Sequence, residues 1–242
     1  MRVIGFVEIS PRAKLAIIVV LALVFLTSGM YYVQAYHRLK PINSVQTDKK
    51  ILALTFDISW GNKMPGPVLD ELAKEKVKAT FFISGPWAKQ YPDLAKRIKK
   101  DGHEIGSHGY RHINLSTLSP LEIKEEMNKA GANIKEVTEV SPNLLRTPNG
   151  DYNDAVITVA HQNQYDVVQW SIDSLDWMNP GVASITERVL KKAHPGAIVL
   201  LHASDTCQQT DKALPIIIKK LKEDGYQLVT VSELLKTGNK TQ

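Results

Sequence analysis

Short apolar runs alternate with longer amphipathic stretches from residue 51 towards the end of the chain. The apolar runs are typical of buried strands and lie at Ile51–Phe56, Ala79–Ile83, Glu104–Ser107, Asn143–Leu145, Asp166–Ile172, Ala197–Leu201 and Gln227–Val229. The stretches between them have helical spacing and lie at Pro67–Lys76, Tyr91–Lys100, Pro120–Val137, Asn153–Asn163, Ser184–Ala193 and Thr210–Asp224. About seven strand-then-helix units in series predict an α/β fold, a parallel sheet with helices outside it.

Ionisable residues follow the predicted strands at the points where the strands end. Five of these ends carry one: Asp57, His108, Arg146, Asp173 and His202. In a barrel such groups gather at the carboxyl ends of many strands, whereas an open doubly wound sheet concentrates its site at one switch point. The sequence has no glycine-rich dinucleotide fingerprint and no phosphate-binding loop. The pattern therefore favours a closed or nearly closed barrel.

The N-terminal part of the chain has a different character. Residues 15–36 carry no formal charge and are mostly aliphatic up to Leu26. A helix of about 20 apolar residues is long enough to cross a bilayer, so we expect this segment to enter a membrane. It is either a permanent anchor or a signal segment cleaved near Ala35, since Val33-Gln34-Ala35 is typical of a signal peptidase site.

The predicted divisions follow from this segment. They are an N-terminal tip at 1–14, the membrane segment at 15–36, a linker at 37–50, one catalytic domain at 51–236 and a tail at 237–242. We expect the domain to lie outside the cytoplasm, held at the cell membrane by a single pass or secreted after cleavage. Basic residues flank the apolar segment on both sides, so charge alone leaves its orientation open.

Charge excludes nucleic acid as an expected partner. The net charge of +5 arises entirely in residues 1–50, which hold seven Lys or Arg and two acidic residues, while the remainder holds 23 of each. A nucleic-acid-binding protein concentrates positive charge on its folded domain. Cys207 is the only cysteine, so no internal disulfide is possible, and we expect a buried free thiol.

Four residues are candidates for a hydrolytic site. His108 and His112 are four apart, and a turn after a strand brings two such imidazoles to one cation, although this spacing alone is also common by chance. Asp57 next to a metal would stay ionised and take a proton from water, and His202 would supply one to a leaving amine. The alternative for each of them is an ordinary capping or loop residue.

Two further segments could support that chemistry. Arg146 and the carboxylates of Asp173 and Asp176 could form a buried pair that tunes Asp57, and Trp177 an aromatic wall suited to a sugar ring or an acetyl methyl. These residues could instead have purely structural roles. Pro148 and Gly150 could be turn residues, and Asp176 could cap the stretch that follows it.

Five segments carry a resemblance to a known family. They are Thr55-Phe56-Asp57, Ser107-His108-Gly109-Tyr110-Arg111-His112, Arg146-x-Pro148-x-Gly150, Asp173-x-x-Asp176-Trp177 and Leu200-Leu201-His202. In order and spacing they resemble the motifs of the polysaccharide deacetylases, carbohydrate esterase family 4 with its NodB-homology domain. The resemblance covers roughly residues 48–236. With the membrane segment, the chain is similar to sporulation-associated members from bacilli.

The resemblance implies a fold and an activity. The fold is an irregular, NodB-like (β/α) barrel of about seven strands. Because of the N-terminal apolar segment, we expect one transmembrane helix before this barrel in the chain. The activity is hydrolytic, metal-assisted removal of N-acetyl groups from a cell-wall aminosugar polymer, peptidoglycan or chitin-like, in spore-wall formation. The implied partner is that glycan, besides the membrane contacted by residues 15–36.

The resemblance also implies roles for individual residues. Asp57 would be the base, His202 the general acid, and His108 and His112 ligands of a divalent metal, zinc in the first place or else cobalt or manganese. Arg146 would hold Asp57 with assistance from Asp173. The residues implied for substrate binding are Trp177, Leu201 and Pro148.

One position departs from the family pattern. The family usually has a second aspartate, a metal ligand, where this sequence has Ile58, and isoleucine cannot coordinate a metal. Water or an oxygen of Ser59 or Asn62 could complete a weaker site, Asp57 could be drawn into coordination, or the site could lack metal. The alternative function is a catalytically impaired glycan-binding wall protein, and a third possibility is hydrolysis of a C–N bond outside sugars.

Overall fold

The fold described below is that of a computed structural model, which describes residues 10–36 and 39–241, and only the backbone of 28–36. Two compact units are present, Met1–Leu39 and Lys40–Gln242. Residues 1–9 of the predicted tip, residues 37–38 of the predicted linker and residue 242 of the predicted tail lie outside the described residues.

The described residues of the first unit form one helix, α1 (Pro11–Tyr36). Over the described part of the chain, no helix meets the combination of length and apolar character that crossing a membrane requires. The membrane segment predicted at 15–36 is therefore not supported by the structure.

The second unit is a parallel sheet covered by helices. The strands of the sheet are β2 (Ile51–Ile58), β3 (Thr80–Ile83), β4 (Glu104–Ser107), β5 (Leu144–Leu145), β6 (Asp166–Val167), β7 (Ile172–Asp173), β8 (Ile198–His202) and β9 (Gln227–Val229). Their order is β6-β5-β4-β3-β2-β8-β7, with β9 beside β2, and all pairs are parallel. The predicted parallel α/β fold is confirmed.

The helices alternate with the strands along the chain. They are α2 (Pro65–Lys74), α3 (Gly85–Gln90), α4 (Pro92–Lys100), α5 (Pro120–Thr138), α6 (Asp154–Gln162), α7 (Val182–Lys192), α8 (Thr210–Glu223) and α9 (Val231–Leu234). Short 3₁₀ turns occur at Leu115–Thr117, Pro148–Gly150 and Asp176–Met178.

The sheet curls into a half-barrel whose two edges lie close together. The predicted strand Asp166–Ile172 is in fact two strands, β6 at one edge of the sheet and β7 at the other. Only the four residues 168–171 connect them. The five residue-to-residue steps from Val167 to Ile172 therefore span about 18 Å at most, even when fully extended. An open, flat sheet of this width could not be bridged by so short a segment, so the NodB-like curvature follows from the connection.

The predicted linker and tail are, in their described parts, strands of the folded unit. The segment β1 (Ser44–Gln46) pairs antiparallel with β10 (Asn239–Thr241). Ile42 bridges to Val168 at the seam between the sheet edges, and Ser44 bridges to Ala197. Ile42 and Val45 are each only 2% exposed. The unit is thus larger than the predicted 51–236, because two buried apolar residues lie within a polar stretch.

Residues alternate between two cores along β2. Leu54, Phe56 and Ile58 belong to the large apolar cluster that includes the inner faces of α2 and α8. Ile51 and Ala53 belong to a second cluster with Phe82, Val168 and Ile198 inside the curl of the sheet. Because successive side chains point to opposite faces, the inward series continues through Thr55 to Asp57, which comes at the open end of the curl.

Gly196 provides a test of how tightly β1 closes the unit. Its φ is +76°, and a Cβ there would collide with the carbonyl oxygen of Val45. We expect Gly196→Ala to lower the free energy of unfolding by about 1–3 kcal/mol from backbone conformation alone, with the collision adding to it. Urea unfolding measures the change.

The matched control is Gly66→Ala in α2, where an added Cβ meets nothing within 4 Å. This variant should keep wild-type stability to within about 1 kcal/mol. Equal stability of the two variants would contradict the described closure by β1.

Candidate active site

Four parallel strands end at one cavity. β2 ends with Asp57 and Ile58, β8 ends with His202, and the register pairs Asp57 with His202 directly. His108 follows β4 and Arg146 follows β5. The cavity has a volume of about 420 Å³. Its lining residues are Asp57, Trp60, His108, His112, Asn149, Gly150, Trp170, Asp173, Trp177, Leu200, His202, Thr206 and Cys207.

A buried ion pair lies at the base of the cavity. Arg146 is 0% exposed and donates from Nη1 to Asp57 Oδ1 at 2.9 Å and to Thr55 Oγ1 at 2.7 Å. Burial alone would raise the pKa of Asp57, but the charge of Arg146, followed by those of His108 and His202, lowers it below its usual value. Asp57 is therefore ionised at neutral pH, with Oδ2 left for other partners.

The remaining donors of Arg146 fix the seam of the sheet. Nη2 donates to the carbonyl of Gln169 at 2.8 Å and Nε to the carbonyl of Val168 at 3.3 Å. The guanidinium also lies 4.2 Å from the ring centroid of Phe82 and 5.6 Å from that of Trp170. Every side of Arg146 is thus occupied by the protein.

His108 and His112 lie next to each other, as the sequence predicted. Their ring centroids are 5.3 Å apart. His108 Nδ1 is 2.9 Å from the carbonyl oxygen of Arg146; because a carbonyl only accepts, Nδ1 carries the hydrogen and Nε2 keeps its lone pair. His108 Nε2 is 3.6 Å from Asp57 Oδ2. Burial lowers the pKa of His108 to about 4 and also lowers that of His112, so both are neutral at pH 7.

His202 is held by a carboxylate that the sequence suggested only as a cap or a tuner of Asp57. Asp176 is fully buried and accepts from the backbone N–H of His202 and from its Nδ1, both at 2.7 Å, and from Thr210 Oγ1 at 2.7 Å. Burial would lower the pKa of His202, but the hydrogen bond and charge of Asp176 and the charge of Asp57 raise it. With Nδ1 bound to Asp176, Nε2 is the nitrogen left to exchange a proton.

Asp173, Leu201 and Pro148 do not make the site contacts that the resemblance implied for them. Asp173 lines the cavity, but its Oδ1 accepts from the N–H of Leu175 at 2.8 Å, and within the described residues it is not a partner of Arg146. Leu201 is fully buried in the outer core, and its neighbour Leu200 lines the cavity instead, because the inward phase of β8 falls on Leu200 and His202. Pro148 is buried and does not line the cavity, whereas Trp177 does and is 51% exposed.

Two aromatic residues of the cavity were missed by sequence reasoning. Trp60 donates from Nε1 to Thr206 Oγ1 at 3.1 Å, and its ring meets His112 edge-on at 5.0 Å. Trp170 packs below Gly150, where an added Cβ would come within 3.0 Å of its ring. Neither residue follows a predicted strand directly, so only their aromatic character close to the quoted motifs could have marked them.

Ile58 confirms the loss of a ligand at its position. Its side chain is fully buried in the outer core, on the opposite face of β2 from Asp57. The two side chains considered as substitutes do not replace it: Ser59 Oγ is buried without a partner, Asn62 is exposed, and neither lines the cavity. Two neutral imidazoles therefore fit a divalent cation, but the usual third ligand is absent from the described cavity.

A different trio has its potential ligand atoms within 4.8 Å of one another, namely Asp176, His202 and Cys207. Both oxygens of Asp176 already accept hydrogen bonds from His202 and Thr210. Cys207 is a buried free thiol, as predicted, and burial raises its pKa to about 12. A neutral thiol beside a saturated carboxylate is a hydrogen-bonded cluster rather than a metal centre.

The chain has relatives among bacterial proteins. The family model for polysaccharide deacetylases matches residues 44–168. A peptidoglycan-N-acetylglucosamine deacetylase of Bacillus cereus is 41% identical over 195 residues, which cover 79% of this chain and 91% of that protein. The YlxY protein of Bacillus subtilis is 38% identical over 196 residues, which cover 81% of this chain but only 60% of that longer protein.

Solved structures agree with these matches. The BA3943 protein of Bacillus anthracis, a CE4-family pseudoenzyme, superposes with a TM-score of 0.78 at 36% identity, covering 83% of this chain and 70% of that one. A BA3943 mutant with restored enzymatic activity gives the same TM-score at 38% identity, with 83% and 72% covered. Together with the family match and the identity to the Bacillus cereus enzyme, these similarities show that the chain belongs to the polysaccharide deacetylase family.

Proposed function

We propose that this domain hydrolyses the N-acetyl group of an aminosugar in cell-wall glycan. The observation that carries the proposal is the pairing, in one cavity, of a carboxylate kept ionised by a buried arginine with a histidine whose pKa is raised. Asp57 and His202 end neighbouring strands in direct register. Such a pair, with opposite protonation states at one pH, is what general base and general acid catalysis require.

In the proposed reaction, Asp57 removes a proton from water as the water oxygen attacks the amide carbon. The C–N bond then breaks, and His202 delivers its Nε2 proton to the leaving nitrogen, releasing acetate and a free amine. Asp176 holds the imidazole by Nδ1 throughout, so Nε2 faces the reacting group. Arg146 stays bound to Oδ1 of Asp57, which leaves Oδ2 to take the proton.

His108 and His112 are the residues that would hold a divalent cation, zinc in the first place and cobalt or manganese as alternatives. Their neutral state and the free lone pair of His108 Nε2 fit this role. When bound, such a cation supplies Lewis acidity towards the amide carbonyl and lowers the pKa of nearby water.

The glycan substrate is proposed from the walls of the cavity and from the relatives. Trp60, Trp170 and Trp177 supply aromatic faces beside the reacting groups, which suit a sugar ring. The Bacillus cereus relative carries the name of a peptidoglycan-N-acetylglucosamine deacetylase, and a Bacillus subtilis relative at 36% identity that of a peptidoglycan-N-acetylmuramic acid deacetylase. Peptidoglycan is accordingly the proposed substrate.

The proposed place of action is outside the cytoplasm, where peptidoglycan lies. The uncharged residues 15–36 support attachment to the cell membrane, or secretion after cleavage near Ala35. A role in spore-wall formation rests on the resemblance to sporulation-associated members of the family.

A second candidate function is a glycan-binding protein without catalytic turnover, and Ile58 favours it. The cavity keeps its aromatic walls while one expected ligand is replaced by a buried aliphatic side chain. A pseudoenzyme of the same family, BA3943, is among the solved structures similar to this chain.

Acetate release tests the first candidate. With chitooligosaccharide or acetylated peptidoglycan and Zn²⁺, Co²⁺ or Mn²⁺, we expect the wild type to release acetate and Asp57→Asn to do so about 100-fold more slowly or less, because the general base is lost. Glu125→Gln, on the exposed face of α5, is the control for mutation as such. An inactive wild type with all three metals contradicts the proposal.

Replacement of Ile58 separates the two candidates. If the protein is an enzyme, isothermal titration shows zinc binding by the wild type at micromolar concentrations. If it is a glycan-binding protein, Ile58→Asp gains zinc binding that the wild type lacks, because a carboxylate returns at the position where the family usually has a metal ligand. Ile58→Asn, similar in size and uncharged, controls for loosening of the strand end and should gain little.

The protonation of His202 is a third test. The pKa of the His202 imidazole, measured by NMR, should lie above its usual value, and Asp176→Asn should lower it because the carboxylate charge is removed. The pH at which activity declines on the alkaline side should fall in parallel, since the general acid must be protonated. Asp173→Asn, which removes a carboxylate that does not contact His202, is the matched control; an equal shift in both variants would exclude the specific pairing.

A further inference from the structure

The position of His112 depends on a loop rather than on contacts of its own. Among the described residues, no other residue donates to its imidazole or accepts from it, and its ring meets the rings of His108 and Trp60 edge-on. His108, in contrast, is fixed by backbone and side-chain hydrogen bonds to Ile83 and Arg146. Whatever holds the backbone next to His112 therefore decides where its imidazole lies.

That backbone is held by a carboxylate on a neighbouring helix. Glu126 on α5 accepts from the backbone N–H of Arg111 at 2.9 Å through Oε2 and from Arg111 Nε at 2.6 Å through Oε1. Arg111 directly precedes His112. Both carboxylate oxygens of Glu126 thus accept hydrogen bonds from Arg111, the residue next to His112. A displacement of Arg111 is passed to His112 through a single peptide unit.

Glu126 is unusual for a surface helix because it belongs to the buried face. It is 3% exposed and lies on the same stripe as the core residues Ile123 and Ala130. A buried carboxylate is costly unless its hydrogen bonds are satisfied, and Arg111 satisfies both oxygens. The helix itself is fixed by a capping box between Ser119 and Glu122.

We propose that Glu126 is a positioning residue that sets the place of His112 through Arg111. No part of it reaches the cavity, so its effect on a bound ligand is transmitted only by the loop. Removing residues that orient metal ligands without binding the metal commonly lowers metal affinity about 10–100-fold. We expect the same range when the hydrogen bonds between Glu126 and Arg111 are lost.

Histidine NMR tests the proposal without any metal. The chain has seven histidines, so the imidazole signals of the labelled full chain can be assigned with a His112→Gln variant. We expect Glu126→Ala to move the His112 signals, Glu126→Gln to move them less, because its amide oxygen still accepts from Arg111, and both to leave His103 and His194 in place. A folded Glu126→Ala protein with His112 at its wild-type position would overturn the proposal; if that variant fails to fold, the same comparison is decided on Glu126→Gln.

Zinc titration gives a second readout, and this arm alone rests on the proposed function. Affinity should fall about 10–100-fold in Glu126→Ala, recover in part in Glu126→Gln, and stay at the wild-type value in Glu125→Ala, whose side chain is 55% exposed one residue away. Equal loss in the Glu125 and Glu126 variants would contradict the positioning role. A wild type that takes up no zinc counts against the proposed function and leaves the NMR comparison to decide this inference.

Discussion

The ion pair between Arg146 and Asp57 is the interaction on which the rest of the second unit depends. It lies where the inward phase of β2 meets the seam of the sheet, and the same guanidinium binds the two carbonyls that carry the chain across that seam. Leaving one buried charge without its partner typically costs about 3–5 kcal/mol. The charge that the proposed reaction needs is therefore stabilised by a group that also holds the sheet edges, so closure of the fold and ionisation of the base are coupled.

The sequence predicted those parts of the fold and of the site that produce a regular pattern of apolar and polar residues. Parallel strands bring their carboxyl ends to one rim, so polar residues after apolar runs identified Asp57, His108, Arg146 and His202 as neighbours. Which side chains of a strand face the cavity was harder to predict where the strand contains no polar residue to indicate the inward face. Leu200 and Leu201 are both leucine, and nothing in the sequence tells which of them faces the cavity.

Other features could not be predicted because they depend on contacts far apart in the chain. The split of 166–172 into two edge strands results from curvature, not from local composition. The hold of Asp176 on His202 joins residues 26 positions apart, and a carboxylate near a tryptophan is equally compatible with a cap. The polar stretch before Ile51 hid two core residues, since Ile42 and Val45 pair with residues far away in the chain, Val168 and Lys240.

The pairing of β1 with β10 has a consequence for how the polypeptide can be divided. The first and last strands of the unit hold one another, and the carbonyl of Val45 fills the space above Gly196 that a side chain would need. Trimming the gene to the predicted domain, residues 51–236, would remove both partners and expose Ile51, Ala197 and their apolar surroundings to solvent. An expression fragment that begins at Lys40 and retains Thr241 keeps both strands, so the two ends of the unit remain paired.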